Sequence, residues 1–330
     1  MKARITSRDV AQAAGVSQST VSLVLTGKWP GRVSKETAAR IRRITAEMDY
    51  QPDLTARSLR LERTGTVLLI VPAITNTFFA NLHVGATQVA NQHETTVLVY
   101  PMGTDRHERL LPIPQQAIDG MLVYGDVGTE AIRPQGVVPM VPLDCDPRLY
   151  PDAVNVDIAV GSREAARHLL DLGHHRIGYL HVDRRGAWML TTRLRSLRAV
   201  VRHRPGATLT VVGTTFDPVD AQRAALELLR SDPAPTAVVC EDDNLAVVVF
   251  AAARSLGLDV PNDLSVIGYN NLPISDVLHP ALTTVNIPVT ELGAAGARAL
   301  HDRLAARQPS PAVLRSSLVV RQSTAPPRQA

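Results

Sequence analysis

Residues 5–27, ITSRDVAQAAGVSQSTVSLVLTG, contain the pattern from which the rest of the chain can be interpreted. Small and apolar side chains recur at helical spacing on both sides of Gly15, and glycine readily adopts the left-handed backbone of a tight turn. Thr6 can cap the first helix, with Asp9 three residues later as a near-capping box, and Ser17 can cap the second. These signals favour a helix-turn-helix, whose second helix enters the DNA major groove, over an ordinary helical hairpin in a core.

Positive charge is concentrated at the N-terminus. Residues 1–63 contain twelve Lys and Arg against six Asp and Glu, a net charge of +6 in a chain whose total is +4. Residues 64–330 are therefore slightly acidic, at −2. All three lysines, Lys2, Lys28 and Lys35, lie in the first segment. A basic N-terminal module on a slightly acidic body is the charge distribution of a DNA-binding domain.

The composition is that of a globular chain without a membrane span, zinc motif or secretion signal. A length of 330 residues suffices for two or three domains, and the hydrophobic share is 45%. No apolar run approaches the roughly 20 residues of a transmembrane helix, and Met1–Arg4 leaves no room for a signal peptide before the first helix. Cys145 and Cys240 lack zinc-ligand spacing. We therefore expect a cytoplasmic, nucleoid-associated protein with no cofactor and no membrane partner.

Strand-like and helix-like segments alternate from Gly65 to near the C-terminus. TVLLIVP (66–72) is a continuous apolar run, as in a strand buried on both faces of a parallel sheet. Further strand candidates follow at 95–101, 119–125 and 138–144. The alternation predicts two doubly wound parallel α/β lobes around a cleft, with ligands beyond the carboxyl ends of the strands. The predicted fold class is thus an all-α N-terminal head followed by a two-lobed α/β core.

No catalytic motif is present in the sequence, which lacks a GxSxG elbow, a Walker loop and a GxGxxG turn after a strand. Glu241, Asp242 and Asp243 form the one tight carboxylate cluster, for which a metal or acid/base role is the alternative to hydrogen bonding. His174 and His175 lie in a helix-to-strand turn, where a structural role is favoured over metal binding. We therefore assign no catalytic and no metal-binding residues.

Three stretches of the first sixty residues carry a resemblance to a known family: RDVAQAAGVSQSTVSLVLTG, RVSKETAARI and YQPDLTARSLR. They resemble the DNA-binding head of the LacI/GalR (lactose/galactose/purine repressor) family. The resemblance implies a helix-turn-helix domain at 1–50 and, at 51–63, a hinge helix that folds on operator DNA. In this hinge Ala56 and Leu59 would be the minor-groove pair, with Leu59 as the wedge that bends the central base step.

The same resemblance implies which residues contact DNA. Gln18 and Ser19 match positions whose side chains read base edges, whereas Leu23 replaces an arginine that is common in the family. Leucine has no hydrogen-bond donor for guanine, so apolar contact or no readout is expected at that base. The complete set of predicted DNA-binding residues is Thr6, Ser17, Gln18, Ser19, Thr20, Ser22, Leu23, Lys28, Arg32, Ala56, Arg57 and Leu59.

Residues 64–330 are similar to the periplasmic-binding-protein-like core of that family, which binds an effector and dimerises. The matching blocks are HLLDLGHHRIGYL, TAVVCEDDNLAVVVFAAARSLGLDVPNDLSVIGYNN and HPALTTVNIP. The resemblance implies a chain that crosses between the lobes three times, with lobe 1 at about 64–160 and 288–318 and lobe 2 at about 161–287 and 319–324. Residues 325–330 are expected to form a disordered tail.

Six positions match the effector site of the family: Phe78, Phe79, Arg193, Phe216, Asp242 and Asn270. Asp242 lies where the family most often has Asn, and Asn270 where it most often has Asp, so the two polar roles are expected to be exchanged across the cleft. An arginine, a carboxylate and an amide flanked by aromatic rings suit a sugar. A nucleobase is the alternative, because Phe78 and Phe216 can sandwich a flat ring.

The sequence thus predicts a homodimeric transcriptional repressor on pseudo-palindromic double-stranded operator DNA, controlled by a small-molecule effector and without enzyme activity. The alternatives are a solute-binding protein without DNA regulation, against which the helix-turn-helix argues, and a nucleobase-responsive regulator of the corepressor type. One departure concerns the dimer surface, because Pro112 and Pro114 interrupt residues 105–119, where family members carry a regular helix. We expect an altered interface there.

Overall fold

The chain divides into two units, Met1–Thr64 and Gly65–Ala330, each described separately below. The computed structural model describes residues 5–50, 63–102, 117–125, 138–183, 188–215, 217–309 and 312–328. Several residues singled out in the sequence lie outside these ranges, namely Ala56, Arg57, Leu59, Pro112, Pro114 and Phe216.

Three short helices form the first unit, and each begins where the sequence places a capping residue. They are α1 (Ser7–Ala14), α2 (Gln18–Leu25) and α3 (Lys35–Glu47). Thr6 and Asp9 form a reciprocal capping box on α1, and Gly15 ends this helix with a left-handed backbone, at φ 62°. All three helices contribute to one small apolar core, formed by Val10, Ala11, Ala14, Val21, Val24, Ala38 and Ile41. The predicted helix-turn-helix is confirmed.

The second unit begins with a parallel sheet of four strands in the order β2-β1-β3-β4. Its elements are β1 (Thr66–Val71), α4 (Thr77–Ala90), one 3₁₀ turn (Asn91–His93), β2 (Thr96–Pro101), β3 (Gly120–Tyr124) and β4 (Met140–Leu143). β1 is buried almost throughout, because β2 and β3 pair with its two edges. The four strands coincide with the apolar runs found in the sequence.

The second lobe contains a six-stranded sheet in the order β12-β10-β9-β8-β6-β7, in which only the β10–β12 pair is antiparallel among the described strands. Helices cover both faces of this sheet, as the alternating sequence pattern predicts. In chain order the remaining elements are β5 (Asn155–Asp157), α5 (Ile158–Asp171), β6 (Arg176–Val182), α6 (Trp188–Arg202), β7 (Thr208–Thr214), α7 (Pro218–Leu229), β8 (Ala237–Cys240), α8 (Asp243–Ser255), β9 (Ser265–Asn270), α9 (Ile274–Val277), β10 (Thr283–Asn286), α10 (Val289–Leu304), β11 (Val313–Arg315) and β12 (Ser317–Val319).

Three segments connect the two lobes. β5 leads into α5, which packs against β10 and β12 of the second sheet, and α10 returns to pack against α4, β3 and β4. β11 pairs with β5, and β12 follows it directly and pairs with β10. The second lobe therefore resumes at residue 317, two residues before the expected boundary. The predicted two-lobed α/β fold is confirmed.

The close packing of α4 on α10 depends on two glycines. A Cβ at Gly85 would lie 1.8 Å from the carbonyl oxygen of Thr290, and a Cβ at Gly293 would lie 2.0 Å from that of Leu82. Any larger residue would push the helices apart, because both obstacles are backbone atoms. This contact fixes α4, whose N-terminal residues line the cleft described below.

The C-terminal residues 325–328 pack against the second lobe, so the predicted disordered tail is wrong for them. The backbone N–H of Ala325 donates to Ser265 Oγ (3.0 Å), and its carbonyl oxygen lies 2.9 Å from Nε2 of His174. Burial lowers the pKa of His174, whose role is structural, as the sequence favours. These contacts join residues far apart in the chain, so the local composition of the tail did not reveal them.

Candidate functional site

Helix α2 exposes its predicted DNA-reading residues on the face opposite its buried side. Val21 and Val24 are 1% and 2% exposed and pack in the core of the first unit. Gln18, Ser19 and Ser22 are exposed. Residues three and four apart share a helix face, so the packing residues lie on one face of α2 and the predicted DNA-reading residues on the other. The exposed face of α2 thus carries polar side chains, as a helix that reads a DNA major groove requires.

Two of the predicted contacts, Thr6 and Ser17, cap helices. The hydroxyl of Thr6 donates to the Asp9 carboxylate (2.8 Å), and the backbone N–H of Thr20 donates to Ser17 Oγ (3.1 Å). The backbone N–H and the hydroxyl of Thr6 lower the pKa of Asp9. Because helix N-termini also attract phosphate oxygens, these positions suit a DNA backbone as well. The other described candidates are half-buried (Thr20 and Leu23) or exposed beyond α2 (Lys28 and Arg32).

A cavity of about 580 Å³ opens between the two lobes of the second unit, at the carboxyl ends of both sheets. Residues after β1 and at the end of β3 line one side, and residues at the ends of β6, β8 and β9 line the other. Its volume is in the range of small-molecule sites. The predicted effector-binding residues that line it are Phe78, Phe79, Arg193, Asp242 and Asn270.

Three aromatic rings form one wall of this cleft. The ring centroids of Phe78, Phe79 and Tyr124 lie 5.3–5.4 Å from one another, and all three pairs are edge-to-face. Phe78 is 4% exposed and Phe79 is half-buried. The mutual packing holds the rings in place, so they offer a rigid apolar surface to the C–H groups of a ligand.

Arg193 is buried in the opposite wall, at 6% exposure. Its Nη1 donates to the carbonyl oxygen of Glu241 (2.9 Å), and its guanidinium carbon lies 4.4 Å from the centroid of the Tyr269 ring. Its Nε–H is buried and has no hydrogen-bond partner among the residues that the structure describes. A buried donor without an acceptor is costly, so this atom indicates a place for a ligand oxygen.

Asp144 adds a titratable group near the aromatic wall. Its carboxylate accepts hydrogen bonds from the backbone N–H of Val156 (2.8 Å) and from the hydroxyl of Tyr124 (3.4 Å). Burial raises the pKa of Asp144 to about 6, although these donors and the charge of Arg193 lower it. The charge of Asp144 therefore changes close to neutral pH.

Asp242 caps α8 and accepts hydrogen bonds at both oxygens. Oδ1 accepts from the backbone N–H of Asn244 (2.7 Å), and Oδ2 accepts from the side-chain amides of Asn76 (3.0 Å) and Asn270 (2.8 Å). Asn270 ends β9, and Asp242 follows the neighbouring strand β8 in the same lobe, so the expected exchange of polar roles does not run across the cleft. Asn76 supplies the contact from the first lobe. Asn270 Oδ1 is buried without a partner among the described residues.

The acidic cluster 241–243 separates into three different environments. Glu241 Oε2 accepts from the backbone N–H of Val182 (2.7 Å), and Asp243 accepts from that of Leu272 (2.6 Å). Burial raises the pKa of Asp243 to about 7 against the hydrogen bonds that it accepts. In the described parts of the chain, no group of three His, Cys, Asp or Glu side chains can hold a metal ion. This geometry supports the hydrogen-bonding interpretation.

The residues missed in the sequence include Asn76 and Tyr124, which line the cleft, and Asp144, which is buried beside it. Asn76 accepts from the backbone N–H of Phe78 (2.9 Å) as the N-cap of α4, so its capping signal beside two predicted site residues was available. Tyr124 ends β3, a position that the strand-end rule indicates. Asp144 follows β4, and its hydrogen bond with Tyr124 and the charge of Arg193 connect it to the cleft.

Comparison with family profiles gives two matches. The profile of bacterial regulatory proteins of the lacI family matches residues 6–53, and that of the periplasmic binding protein-like domain matches residues 166–324. Within the described residues, no helix is both long and apolar enough to span a membrane.

Curated relatives match along almost the entire chain. The ribose operon repressor of Haemophilus influenzae is 31% identical over 307 residues, which cover 91% of this chain and 92% of the relative. The HTH-type transcriptional regulator DegA of Bacillus subtilis is 31% identical over 335 residues, covering 96% and 97%. The HTH-type transcriptional repressor PurR of Klebsiella pneumoniae is 30% identical, covering 91% and 90%.

Solved structures agree with the fold. A LacI family transcriptional regulator from Enterococcus faecium with bound ribose is 27% identical, with a TM-score of 0.70 over 80% of this chain and 100% of that chain. The lac repressor dimer bound to operator and the anti-inducer ONPF has a TM-score of 0.80 over 98% and 99% of the two chains, at 22% identity. The second likeness concerns the fold alone.

Proposed function

The chain belongs to the lacI family of bacterial regulatory proteins, and from this premise we propose that a sugar bound in the cleft controls its attachment to operator DNA. As a member of this family it is a DNA-binding transcriptional regulator of the repressor type. The observation that carries the effector assignment is a pair of buried polar atoms, Arg193 Nε and Asn270 Oδ1, which have no hydrogen-bond partner among the described residues.

The chemistry of the cleft matches that of a polyhydroxylated ring. Arg193 Nε donates to a sugar oxygen, and Asn270 Oδ1 accepts from a sugar hydroxyl, so each unsatisfied atom gains a partner of the correct polarity. The edge-to-face rings of Phe78, Phe79 and Tyr124 pack against the C–H face of the same ring. The ribose operon repressors among the relatives support this ligand class.

Recognition of DNA is assigned to the exposed face of α2, in a homodimer on a pseudo-palindromic operator. Gln18 and Ser19 read base edges in the major groove, and Leu23 makes at most an apolar contact. The hinge residues Ala56 and Leu59 enter the minor groove. The residues that contact the DNA backbone are Thr6, Ser17, Thr20, Ser22, Lys28, Arg32 and Arg57.

A two-state movement of the lobes connects the cleft to the DNA. The Asn76–Asp242 hydrogen bond joins the two lobes at the cleft, and Asn76 is the N-cap of α4. A sugar that contacts both walls binds open and closed arrangements with different affinity and therefore shifts their populations. In the homodimer this shift alters the spacing of the two DNA-binding heads.

The proposal includes neither catalysis nor a membrane. The family consists of DNA-binding regulators, and the carboxylates beside the cleft accept hydrogen bonds from the protein itself. We expect a protein that binds operator DNA to lie in the cytoplasm, at the nucleoid.

The effector assignment is tested by thermal melting of the full chain against sugars, sugar phosphates and nucleobases. A sugar at 100 times its dissociation constant stabilises the folded state by about 2.7 kcal/mol, which raises the melting temperature by a few degrees. Asn270→Ala should abolish the shift, whereas Asn262→Ala, an exposed asparagine of the same lobe, should not. If only nucleobases raise the melting temperature, the cleft binds a flat nucleobase ring and the sugar assignment is wrong.

The DNA assignment is tested by measuring operator affinity as a function of salt. Because phosphate contacts release condensed counterions, the logarithm of the affinity should fall steeply and linearly with the logarithm of the salt concentration. A flat salt response would contradict the assignment of Lys28 and Arg32 to the DNA backbone.

A further inference from the structure

A second cavity, of about 840 Å³, lies in the second lobe between α6 and β6. We propose that this cavity, here called the basic groove, binds the phosphate group of a small phosphorylated metabolite. The inference goes beyond the effector cleft, because the two cavities share only the side chain of Leu190 among the described lining residues.

Three arginines of one helix face line the basic groove. Arg195, Arg198 and Arg202 are spaced three and four residues apart on α6, so their side chains project to the same side. All three are exposed, and none has a hydrogen-bond or ion-pair partner among the described residues. Like charges at this spacing repel one another, and an anion bound between them removes that repulsion.

Among the described lining residues, carboxylates do not balance the charge of the three arginines. Asp183 is the one carboxylate among the described lining residues, and its Oδ1 lies 3.7 Å from Nδ1 of His181. Other arginines of the second lobe do find carboxylates, as in the pair of Arg204 with Asp171 at 3.0 Å. The groove therefore keeps an excess of positive charge that the fold leaves unpaired.

Asp146, beyond the groove, does not supply the missing partner. The charge of Arg195 contributes to lowering the pKa of Asp146, but the hydrogen bond from Arg148 is the larger cause. That bond is 2.6 Å long and holds the carboxylate. Arg195 remains available to an anion in the groove.

Apolar and aromatic side chains form part of the groove, which favours a small molecule over a DNA backbone. Tyr179, Leu190 and Leu194 belong to the lining. The ring of His181 stacks on Tyr179, with centroids 5.6 Å apart. Such a surface packs against the carbon body of a metabolite, and the volume is in the range of ligand pockets. Arginine is suited to the phosphate because its planar guanidinium donates two parallel hydrogen bonds to it.

The three arginines do not belong to the core of the lobe. Arg195, Arg198 and Arg202 are exposed on α6, so substituting them should not unfold the lobe.

Isothermal titration of the full chain with inorganic phosphate, ribose 5-phosphate and AMP tests the proposal, with ribose and adenosine as uncharged counterparts. At least one phosphate ester should bind about tenfold more tightly than its counterpart, the factor expected of one charge-assisted hydrogen bond. Arg198→Gln and the double substitution Arg195→Gln/Arg202→Gln should each remove this advantage. Arg167→Gln, at an exposed arginine of α5, makes the same charge change outside the groove and should retain it.

Asn76→Ala separates this proposal from the effector assignment. It should weaken sugar binding in the cleft and leave unchanged the affinity difference between a phosphate ester and its uncharged counterpart. If Asn76→Ala removes phosphate binding and the groove variants retain it, the phosphate lies in the cleft and the groove proposal is wrong, while the effector assignment stands. The proposal is also overturned if no phosphate ester binds better than its counterpart, or if the groove variants weaken only DNA binding.

Discussion

Helix α2 and the effector cleft use polar side chains in opposite ways. On α2, Gln18 and Ser19 are exposed, while Val21 and Val24 make the packing contacts. In the cleft, the polar groups are themselves buried and hydrogen-bonded to one another across long stretches of sequence. In the head, the residues predicted to read DNA and the residues that pack in the core lie on different faces of one helix. A substitution on the exposed face should therefore change DNA binding without changing stability. In the cleft, binding and folding depend on the same atoms, so a substitution there should affect both stability and binding.

The largest effect is expected for Arg193→Ala. The substitution removes the donor to the Glu241 carbonyl oxygen and the stacking on Tyr269, and leaves a buried space. The second unit should lose about 3 kcal/mol of unfolding free energy, and sugar affinity should fall about 100-fold or more. Urea denaturation and calorimetry measure the two changes, with the exposed Arg167→Ala as control. Lost binding at unchanged stability would contradict the shared use of these atoms.

Acid should act on the two units in opposite directions. The pKa of Asp9 is lowered in the folded head, so its stabilisation is present above the unfolded pKa and is lost as pH falls through the folded pKa. The pKa of Asp243 is raised to about 7, so its contribution is present below the unfolded pKa of 3.8 and is lost as pH rises through 7.

Between pH 5 and pH 7 the second unit should therefore lose about 2 kcal/mol through Asp243. Asp243→Asn should remove this loss, because an amide does not titrate and still accepts from the Leu272 N–H. The difference in unfolding free energy between the variant and the wild-type chain, measured from pH 4 to pH 8, shows the effect. A difference that does not vary with pH would mean that Asp243 does not titrate in this range.

Gln18→Ala should weaken operator binding by about 1–3 kcal/mol, the discrimination of one good base contact. The stability of the head should change by less than about 0.5 kcal/mol, because the side chain is exposed. Gln12→Ala provides the matched control, since this exposed glutamine lies on α1. Equal losses of affinity in the two variants would remove Gln18 from base readout.

Ser17→Ala should destabilise only the head, by about 1 kcal/mol, because Thr20 N–H loses the acceptor at the N-cap of α2. Ser22→Ala changes the same side chain at an exposed interior position of α2 and should leave stability nearly unchanged. Helicity measured during thermal unfolding reports both. If the two variants have the same melting temperature, the cap contributes little to the stability of the head.

Local signals predicted much of the fold. The caps Thr6 and Ser17, the turn at Gly15 and the apolar runs of β1 to β4 are all found where residue type and spacing indicate them. The reason is that capping, positive φ and burial of a continuous apolar strand are decided within a few residues. The docked tail was missed, because its partners lie outside its own segment.

The amino-acid sequence by itself determined the head, the alternation of strands and helices and the separation of charge, and its resemblance to the family implied five of the residues that line the cleft. Only the tertiary structure decided how the polar atoms of that cleft are shared. Asn76 reaches Asp242 across 166 residues, and Asn270 approaches the same oxygen because β8 and β9 are neighbours in the sheet. A hydrogen bond of this kind depends on strand order and lobe position, and neither leaves a trace in the spacing of residues along the chain.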